Sequence, residues 1–172
     1  RALALEPSGN GPVLVLEDGG SSLNLFSGRT LPLETFFSVA LGVARTLGHI
    51  HQRDVIHKDV TLGNVLFDPS SQTIKLIDFG IASELSREHQ WADASGQLEG
   101  TLPYLSPEQT GRMNRDLDYR SDYYSFGVSL FELLTGSLPF QADDVMGWVH
   151  CHISKPAPSA HDINPMVPES LS

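Results

Sequence analysis

The sequence predicts a mainly α-helical fold with a few short β-strands. Residues 33–52 carry apolar side chains at three- and four-residue spacing, a pattern typical of a long amphipathic helix. Pro32 suits the first turn of that helix because its fixed φ angle is already close to helical. Residues 122–135 carry apolar side chains nearly all round, which indicates a second helix buried in the centre of a domain. Gly136 marks the expected end of that helix.

Short apolar runs bounded by turn residues predict the strands. The runs are residues 12–16, Val55–Ile56, residues 65–67 and residues 74–77. The first run ends at a turn signal over residues 17–20, and residues 68–72 form the turn between the last two runs. Another short helix is expected over residues 143–153. Residues 81–105 lack clear periodicity and predict a long loop, which in a compact domain is usually functional or disordered.

Composition indicates one folded domain. The chain has 172 residues, of which 40% are apolar and 19% charged, and a domain of this size buries roughly 70% of its unfolded surface. The net charge of −10 argues against a nucleic-acid partner or an anionic membrane held by bulk electrostatics. The single cysteine, Cys151, excludes an intrachain disulfide and fits a reducing cytoplasm. No apolar run approaches the ~18–20 residues of a membrane span, so we expect a cytoplasmic protein.

The most informative chemistry lies in residues 57–64 (HKDVTLGN) and residues 78–80 (DFG), which begin fourteen residues after Asn64. Asp59 can take the proton of an attacking hydroxyl group. Asn64 and Asp78 are hard oxygen ligands that can hold Mg²⁺ against the phosphates of a nucleotide. The order and the gap of these three side chains predict phosphoryl transfer from Mg-ATP.

These two segments resemble the catalytic loop and the metal-binding turn of protein kinases. The resemblance continues in order along almost the whole chain. Residues 14–17 are similar to the hinge strand that meets the adenine, residues 100–108 to the end of an activation segment, and residues 121–127 to the start of the central helix. The resemblance implies a hinge strand at about 12–20, a catalytic loop at 57–64, a metal-binding turn at 78–80, an activation segment at 78–108 and a central helix at about 122–135.

The resemblance also implies roles for single residues of the catalytic loop and the turn. Asp59 matches the catalytic base, and Asn64 and Asp78 match the Mg²⁺ ligands. Lys58 stands where most kinases have an arginine that grips a phosphate on the activation segment, and lysine lacks its planar bidentate fork. Thr61 stands where typical Ser/Thr kinases place a lysine that neutralises the transferring phosphoryl group. Threonine offers only a hydroxyl there, a departure that bears on the catalytic rate and not on metal binding.

In the nucleotide and acceptor sites the same resemblance assigns further residues. Leu16, Glu17 and Gly19 match the hinge positions whose backbone groups bind adenine, and Leu66 matches the floor of the adenine pocket. Thr101 matches a threonine that touches the catalytic aspartate and is typical of Ser/Thr rather than Tyr specificity.

Three more matches concern the support of the site. His57 matches a structural histidine that packs under the metal-binding turn. Asp122 matches the aspartate that holds the backbone of the catalytic loop from the central helix. Glu108 matches a glutamate whose usual arginine partner lies in a later helix.

Residues 108–115 and 118–122 narrow the resemblance further. They are similar to the kinase domain that opens very large bacterial multi-sensor signalling proteins, which carry an ATPase-like domain, GAF or PAS sensory modules and a histidine kinase. No Gly-rich phosphate loop, strand lysine or helix glutamate precedes Val13. We therefore expect a C-terminal lobe with its hinge strand only, without the final helices. The missing N-terminal lobe is expected in cis, the substrate is a protein, and this segment alone is inactive.

Two alternatives remain open from the sequence. A pseudokinase could use this lobe as a docking module, and Thr61 is the residue that suggests it. A small-molecule kinase of related fold is the other alternative, although residues 100–108 and the helix of Asp122 build a platform for peptides.

The sequence contains two weaker functional signals, one for metal binding and one for phosphorylation. The pairs His49/His51 and His150/His152 look like metal ligands, but in a helix such positions point about 200° apart, so no metal ion is expected there. Ser83, Ser86 and Ser95 are possible phosphorylation sites within an acidic loop, where an added phosphate meets mostly like charge.

Overall fold

The computed structural model describes residues 2–8, 11–85, 99–113 and 115–172. Within these ranges the chain folds into short antiparallel strand pairs, helices and short 3₁₀ helices. The strands are β1 (Ala2–Ser8), β2 (Gly11–Leu16), β3 (Ser21–Ser22), β4 (Val55–Ile56), β5 (Val65–Asp68), β6 (Thr73–Leu76) and β7 (Ser83–Glu84). The helices are α1 (Leu33–His51), α2 (Arg120–Thr135), α3 (Val145–Ser154) and α4 (Ala160–Ile163).

All the strand pairs are antiparallel. β1 pairs with β2 as a hairpin in which Leu5 lies opposite Leu14. β5 is the central strand between β3 and β6, and β4 pairs with β7. The predicted runs at 12–16, Val55–Ile56 and 65–67 lie in β2, β4 and β5, and the run at 74–77 overlaps β6, which ends one residue earlier at Leu76. The sequence did not indicate β1, β3 or β7, because two-residue strands show no periodicity and β1 contains a proline.

Helix α1 covers the β5–β6 ribbon and supplies much of the core. Its buried face consists of Phe36, Val39, Val43 and Leu47. A Cβ atom at Gly42 would lie 2.4 Å from Ile74 Cγ1, so this glycine lets the helix approach β6 closely. Phe37 and Leu41 lie on the opposite face, 46% and 56% exposed.

Helix α2 is central, but its inward face is more polar than the sequence predicted. The buried side chains include Ser121, Asp122, Ser125, Ser129 and Glu132, whereas Tyr123 is 48% exposed. The serine hydroxyls donate to backbone carbonyls of neighbouring loops: Ser125 Oγ to Tyr104 O at 2.7 Å and Ser129 Oγ to Val60 O at 3.1 Å. Small polar side chains therefore let loops lie directly on the helix while their carbonyls stay hydrogen-bonded.

Both ends of α2 have local causes. The helix begins at Arg120, two residues before the prediction, and Asp118 Oδ1 accepts a hydrogen bond from Arg120 N at 2.8 Å. The helix ends at Gly136, whose φ of 74° is the left-handed conformation that glycine adopts without strain.

The predicted loop at 81–105 is only partly irregular. It contains β7 and a 3₁₀ turn over Leu102–Tyr104, and its residues 86–98 lie outside the described part of the chain. Among the helices of the described ranges, none is both long and apolar enough to cross a membrane.

Candidate active site

Asp122 on α2 fixes the start of the catalytic loop. Its carboxylate is fully buried and accepts hydrogen bonds from His57 N at 2.9 Å and Lys58 N at 2.7 Å. His51 Nε2 lies 2.7 Å from the same carboxylate. Lys58 adopts a φ of 68°, which is uncommon for a residue other than glycine. The two backbone hydrogen bonds hold this turn in place, in the role that the resemblance implied for Asp122.

His57 joins the catalytic loop to the metal-binding turn. Its Nε2 donates to Ile77 O at 3.0 Å, and its Nδ1 accepts from Asp59 N at 3.3 Å. The imidazole packs edge-on against the ring of Phe79, with the ring centres 4.7 Å apart. A buried histidine with both nitrogens engaged serves as a structural link here, as the sequence indicated.

Asp59 is held from both sides. Its Oδ2 accepts from Asn64 Nδ2 at 2.9 Å, and its Oδ1 accepts from the backbone N–H of Thr101 at 3.0 Å. Asn64 Nδ2 also donates to Asp59 O at 2.9 Å. Thr101 therefore touches Asp59 through its backbone. A carboxylate oriented by two donors and still partly exposed is suited to accept a proton from a hydroxyl group.

Asn64 and Asp78 are the residues that the sequence predicts as ligands of Mg²⁺. Asp78 is exposed, and its Oδ1 accepts from Gly80 N at 3.2 Å. Within the described ranges, no hydrogen bond reaches Asp78 Oδ2 or Asn64 Oδ1. Nor do those ranges hold a group of three or more His, Cys, Asp or Glu side chains placed for a metal ion. Two hard oxygen donors fit Mg²⁺, which keeps few protein ligands and takes the rest from phosphates and water.

The expected adenine positions lie beside β5 and β6. A Cβ atom at Gly19 would come within 2.5 Å of Leu66 Cδ1, so the two residues are in direct contact. Leu16 ends β2, just before the turn. Lys75 Nζ, which the sequence did not single out, donates to Glu17 Oε1 at 2.9 Å and lowers the pKa of that carboxyl group. Lys75 Nζ also donates to Asp18 O at 3.2 Å, so one lysine holds both the Glu17 carboxylate and a backbone carbonyl of the expected hinge.

Thr61 and Lys58 occupy different surroundings. Thr61 is 6% exposed, and its backbone accepts from Asn64 N at 3.1 Å, so it shapes the 3₁₀ turn that carries Asn64. Lys58 Nζ lies 3.7 Å from Glu99 Oε2. Gln109 Nε2 donates to Lys58 O at 2.8 Å. Glu99 in the expected activation segment and Gln109 just after it are thus tied to the catalytic loop by an ion pair and an amide.

Comparison with known proteins decides the family. A family model described as a protein kinase domain matches residues 13–169. The chain belongs to the protein kinase family. Kinases of this family generally use ATP and Mg²⁺, which agrees with the oxygen donors at Asn64 and Asp78.

Relatives of this kinase domain include bacterial serine/threonine kinases. The DNA damage-responsive serine/threonine-protein kinase RqkA of Deinococcus radiodurans is 35% identical over 82% of the chain. The probable serine/threonine-protein kinase PknB of Lactococcus lactis is 34% identical over 88%, and the serine/threonine-protein kinase PrkC of Bacillus subtilis is 36% identical over 75%. The chain spans 20%, 24% and 19% of the lengths of these three proteins.

Some supporting residues of this kinase domain escaped the sequence analysis. Gln109 links Lys58 O to the segment around Ser106, whose N–H donates to Gln109 Oε1 at 3.0 Å. Glu108 Oε1 accepts from Ser121 Oγ at 2.7 Å, where the resemblance implied an arginine from a later helix. His51, considered only as a metal ligand, contacts Asp122 instead. Such tertiary partners leave no periodic signal in the sequence.

Proposed function

We propose that this chain is the C-terminal lobe and hinge strand of a bacterial protein kinase that transfers the γ-phosphoryl group of Mg-ATP to serine or threonine hydroxyls of a protein. The observation that carries the proposal is the Asp59 carboxylate, which Asn64 and Thr101 orient from both sides. Bound Mg-ATP supplies the phosphoryl group, and the chain's own residues position the acceptor.

Each residue has a separate task in this proposal. Asp59 orients the acceptor hydroxyl and receives its proton at the carboxylate. Asn64 and Asp78 hold the cation through Oδ1 and Oδ2. The backbone at Glu17 and Gly19 receives the adenine, with Leu66 beneath it. Positioning and charge stabilisation are most of what phosphoryl transfer asks of a protein.

Protein acceptors are favoured over small molecules. Residues 100–108 form a platform in which Tyr104 O accepts a hydrogen bond from Ser125 Oγ and the Tyr104 hydroxyl donates to Glu132 of α2. Thr101 N donates to Asp59 Oδ1. A peptide laid along this platform brings a hydroxyl group toward the carboxylate. Transfer to peptides but not to small-molecule acceptors is the expected result in a comparison of acceptors.

The assignment of this chain to a larger, multi-domain protein rests on the sequence of one loop. Residues 108–115 and 118–122 resemble the kinase domains of multi-sensor signalling proteins, so we assign the chain to such a protein. The N-terminal lobe then acts in cis, and ATPase-like, sensory and histidine-kinase domains follow. Sequencing the flanking parts of the gene tests this assignment directly.

A docking module without catalysis is the second candidate, because Thr61 is buried and brings no charge to a phosphoryl group. Incorporation of radiolabelled phosphate by the full-length protein separates the two candidates. Catalysis predicts incorporation in the wild type that the Asp59→Asn variant loses. No labelling in either protein favours the docking module, and equal labelling in both shows that Asp59 is not the catalytic base.

Asp78→Asn is expected to weaken binding of Mg-ATP. The substitution removes a charged oxygen ligand, so the Kd for Mg-ATP in the full-length protein should rise by roughly 10–100-fold. Asp68→Asn is the matched control, because Asp68 is a half-buried aspartate that caps the turn before β6 through Ser70 and Ser71. Titration calorimetry measures both. Unchanged affinity in Asp78→Asn, or an equal loss in the control, contradicts the assignment.

Phosphorylation of the activation segment is expected to be a weak control. Lys58 already faces Glu99, and Ser83 Oγ is buried without a hydrogen-bond partner in the described part of the chain. Ser86 and Ser95 lie outside that part. Replacing all three serines by alanine in the full-length protein should change the initial rate by less than about tenfold. A larger loss with an intact circular dichroism spectrum identifies the segment as the main switch.

A further inference from the structure

His152 is the residue through which α3 contacts the platform at residues 100–108. It is 5% exposed, and its Nε2 lies 2.8 Å from Leu102 O while its Nδ1 lies 2.9 Å from the hydroxyl of Tyr124. Trp148 stacks on the imidazole with ring centres 5.9 Å apart, and Phe140 meets it edge-on at 5.6 Å. The ring is thus confined on its faces and bonded at both nitrogens.

The partners of His152 define its protonation. A carbonyl oxygen only accepts hydrogen bonds, so Nε2 carries the proton that is donated to Leu102 O. Burial lowers the pKa of His152, which keeps the imidazole neutral at neutral pH. Nδ1 is then an acceptor, and Tyr124, whose pKa is raised to about 12 by burial, donates to it. Rotation of the ring breaks both hydrogen bonds.

The hydrogen bond between His152 and Leu102 O lies next to the residue that contacts Asp59. Leu102 follows Thr101, whose N–H is bonded to Asp59 Oδ1 at 3.0 Å. It opens the 3₁₀ turn Leu102–Tyr104, and Tyr104 O is held by Ser125. His152 therefore fixes the peptide plane between the group that touches Asp59 and the rest of the platform. The proposed nucleotide contacts at the hinge and at Asp78 share no hydrogen bond with His152.

We propose that His152 is a positioning residue that sets residues 100–108, and with them a peptide acceptor, relative to Asp59. The inference rests on the proposed function, since it takes these residues as the acceptor platform. It goes beyond that function by assigning acceptor binding to an α3 side chain that lies outside the catalytic loop, the metal-binding turn and the activation segment.

The test is steady-state kinetics of the full-length protein with a peptide acceptor and with ATP. His152→Leu fills the space but offers no donor, so the KM for the peptide should rise roughly five- to thirtyfold, as expected for one lost buried hydrogen bond. The KM for ATP should stay within about twofold. His152→Gln, whose amide can still donate to Leu102 O, should restore the peptide KM to within about threefold of wild type.

His150→Leu is the matched control, because His150 is exposed two residues earlier on the same helix. It should behave like the wild type. An unchanged peptide KM in His152→Leu, a parallel rise in both KM values, or failure of the glutamine variant to restore binding overturns the inference. Wild-type protein that transfers no phosphate to any peptide instead refutes the proposed function, and the inference with it.

If His152→Leu does not fold, the variant Tyr124→Phe tests the inference. That variant keeps the imidazole and the aromatic ring and removes only the hydroxyl that donates to Nδ1. Its peptide KM should rise about threefold with an unchanged KM for ATP, as expected for the loss of one supporting hydrogen bond. A peptide KM equal to that of the wild type contradicts the role of His152.

Discussion

Asp59→Asn in the full-length protein is expected to lower kcat by roughly 10²–10⁴-fold, the usual contribution of a positioned acid or base. The amide removes the proton acceptor. It also sets an N–H group against a neighbouring donor, because either Asn64 Nδ2 or Thr101 N now faces the new amide nitrogen. Affinity for Mg-ATP should stay nearly constant, since Asn64 and Asp78 still present their oxygens. Rapid-quench kinetics measures the rate of phosphoryl transfer, and titration calorimetry measures the Kd for Mg-ATP.

Asp54→Asn is the control for this prediction. Asp54 is an exposed aspartate five residues earlier, with a φ of 55° that asparagine also tolerates. It should retain wild-type kcat. A kcat unchanged by Asp59→Asn, or a large loss of Mg-ATP binding in that variant, assigns the carboxylate a different role from proton acceptance.

Asp122→Ala is expected to destabilise the protein by about 3–5 kcal/mol. The substitution leaves the backbone N–H groups of His57 and Lys58 and the ring of His51 without their buried acceptor. Lys58 then loses the bonds that hold its left-handed backbone. Urea unfolding followed by circular dichroism measures the change in the free energy of unfolding.

Asp118→Ala is the matched control for the stability experiment. Asp118 lies at the surface just before α2, where its contacts with Arg120 are solvated. Its loss should cost about 0.5–2 kcal/mol, because it removes a surface ion pair and the hydrogen bond that Asp118 accepts from Arg120 N at the start of α2. A similar loss of stability in both variants would mean that the buried position of Asp122 has no special weight in holding the catalytic loop.

The parts of the fold that depend on local pattern could be predicted from the sequence. The apolar spacing over residues 33–52 predicted a helix, and the structure has one over Leu33–His51. Gly136 was predicted to end the second helix, and it is the residue that caps α2. The start of α2 could not be placed, because it depends on the side chain of Asp118. The two-residue strands β3, β4 and β7 depend on partners distant in sequence, and only β4 has an apolar run to indicate it.

Some residues of the candidate site could also be predicted from the sequence, and others could not. Motif spacing predicted a site at Asp59, Asn64 and Asp78, and the family resemblance added Thr101. The fold puts Asp59 in contact with Asn64 and Thr101. Gln109 and His152 could not be found, because a single polar residue in a short helix or turn does not reveal which carbonyl it will bind. The polar face of α2 did leave a signal: Ser121, Ser125 and Ser129 recur every four residues, a stripe that counting only apolar positions overlooks.

The polar face of α2 that contains these serines binds two segments that lie about forty residues apart in sequence, the catalytic loop and residues 100–108. Asp122 and Ser129 hold the catalytic loop at His57, Lys58 and Val60, while Ser125 and Glu132 hold the acceptor platform at Tyr104. Any tilt or axial slide of α2 carries the carboxylate of Asp59 and the platform together. In the proposed mechanism, the distance between the Asp59 carboxylate and an acceptor hydroxyl is therefore preserved when α2 shifts, and substitutions along the stripe should prove non-additive.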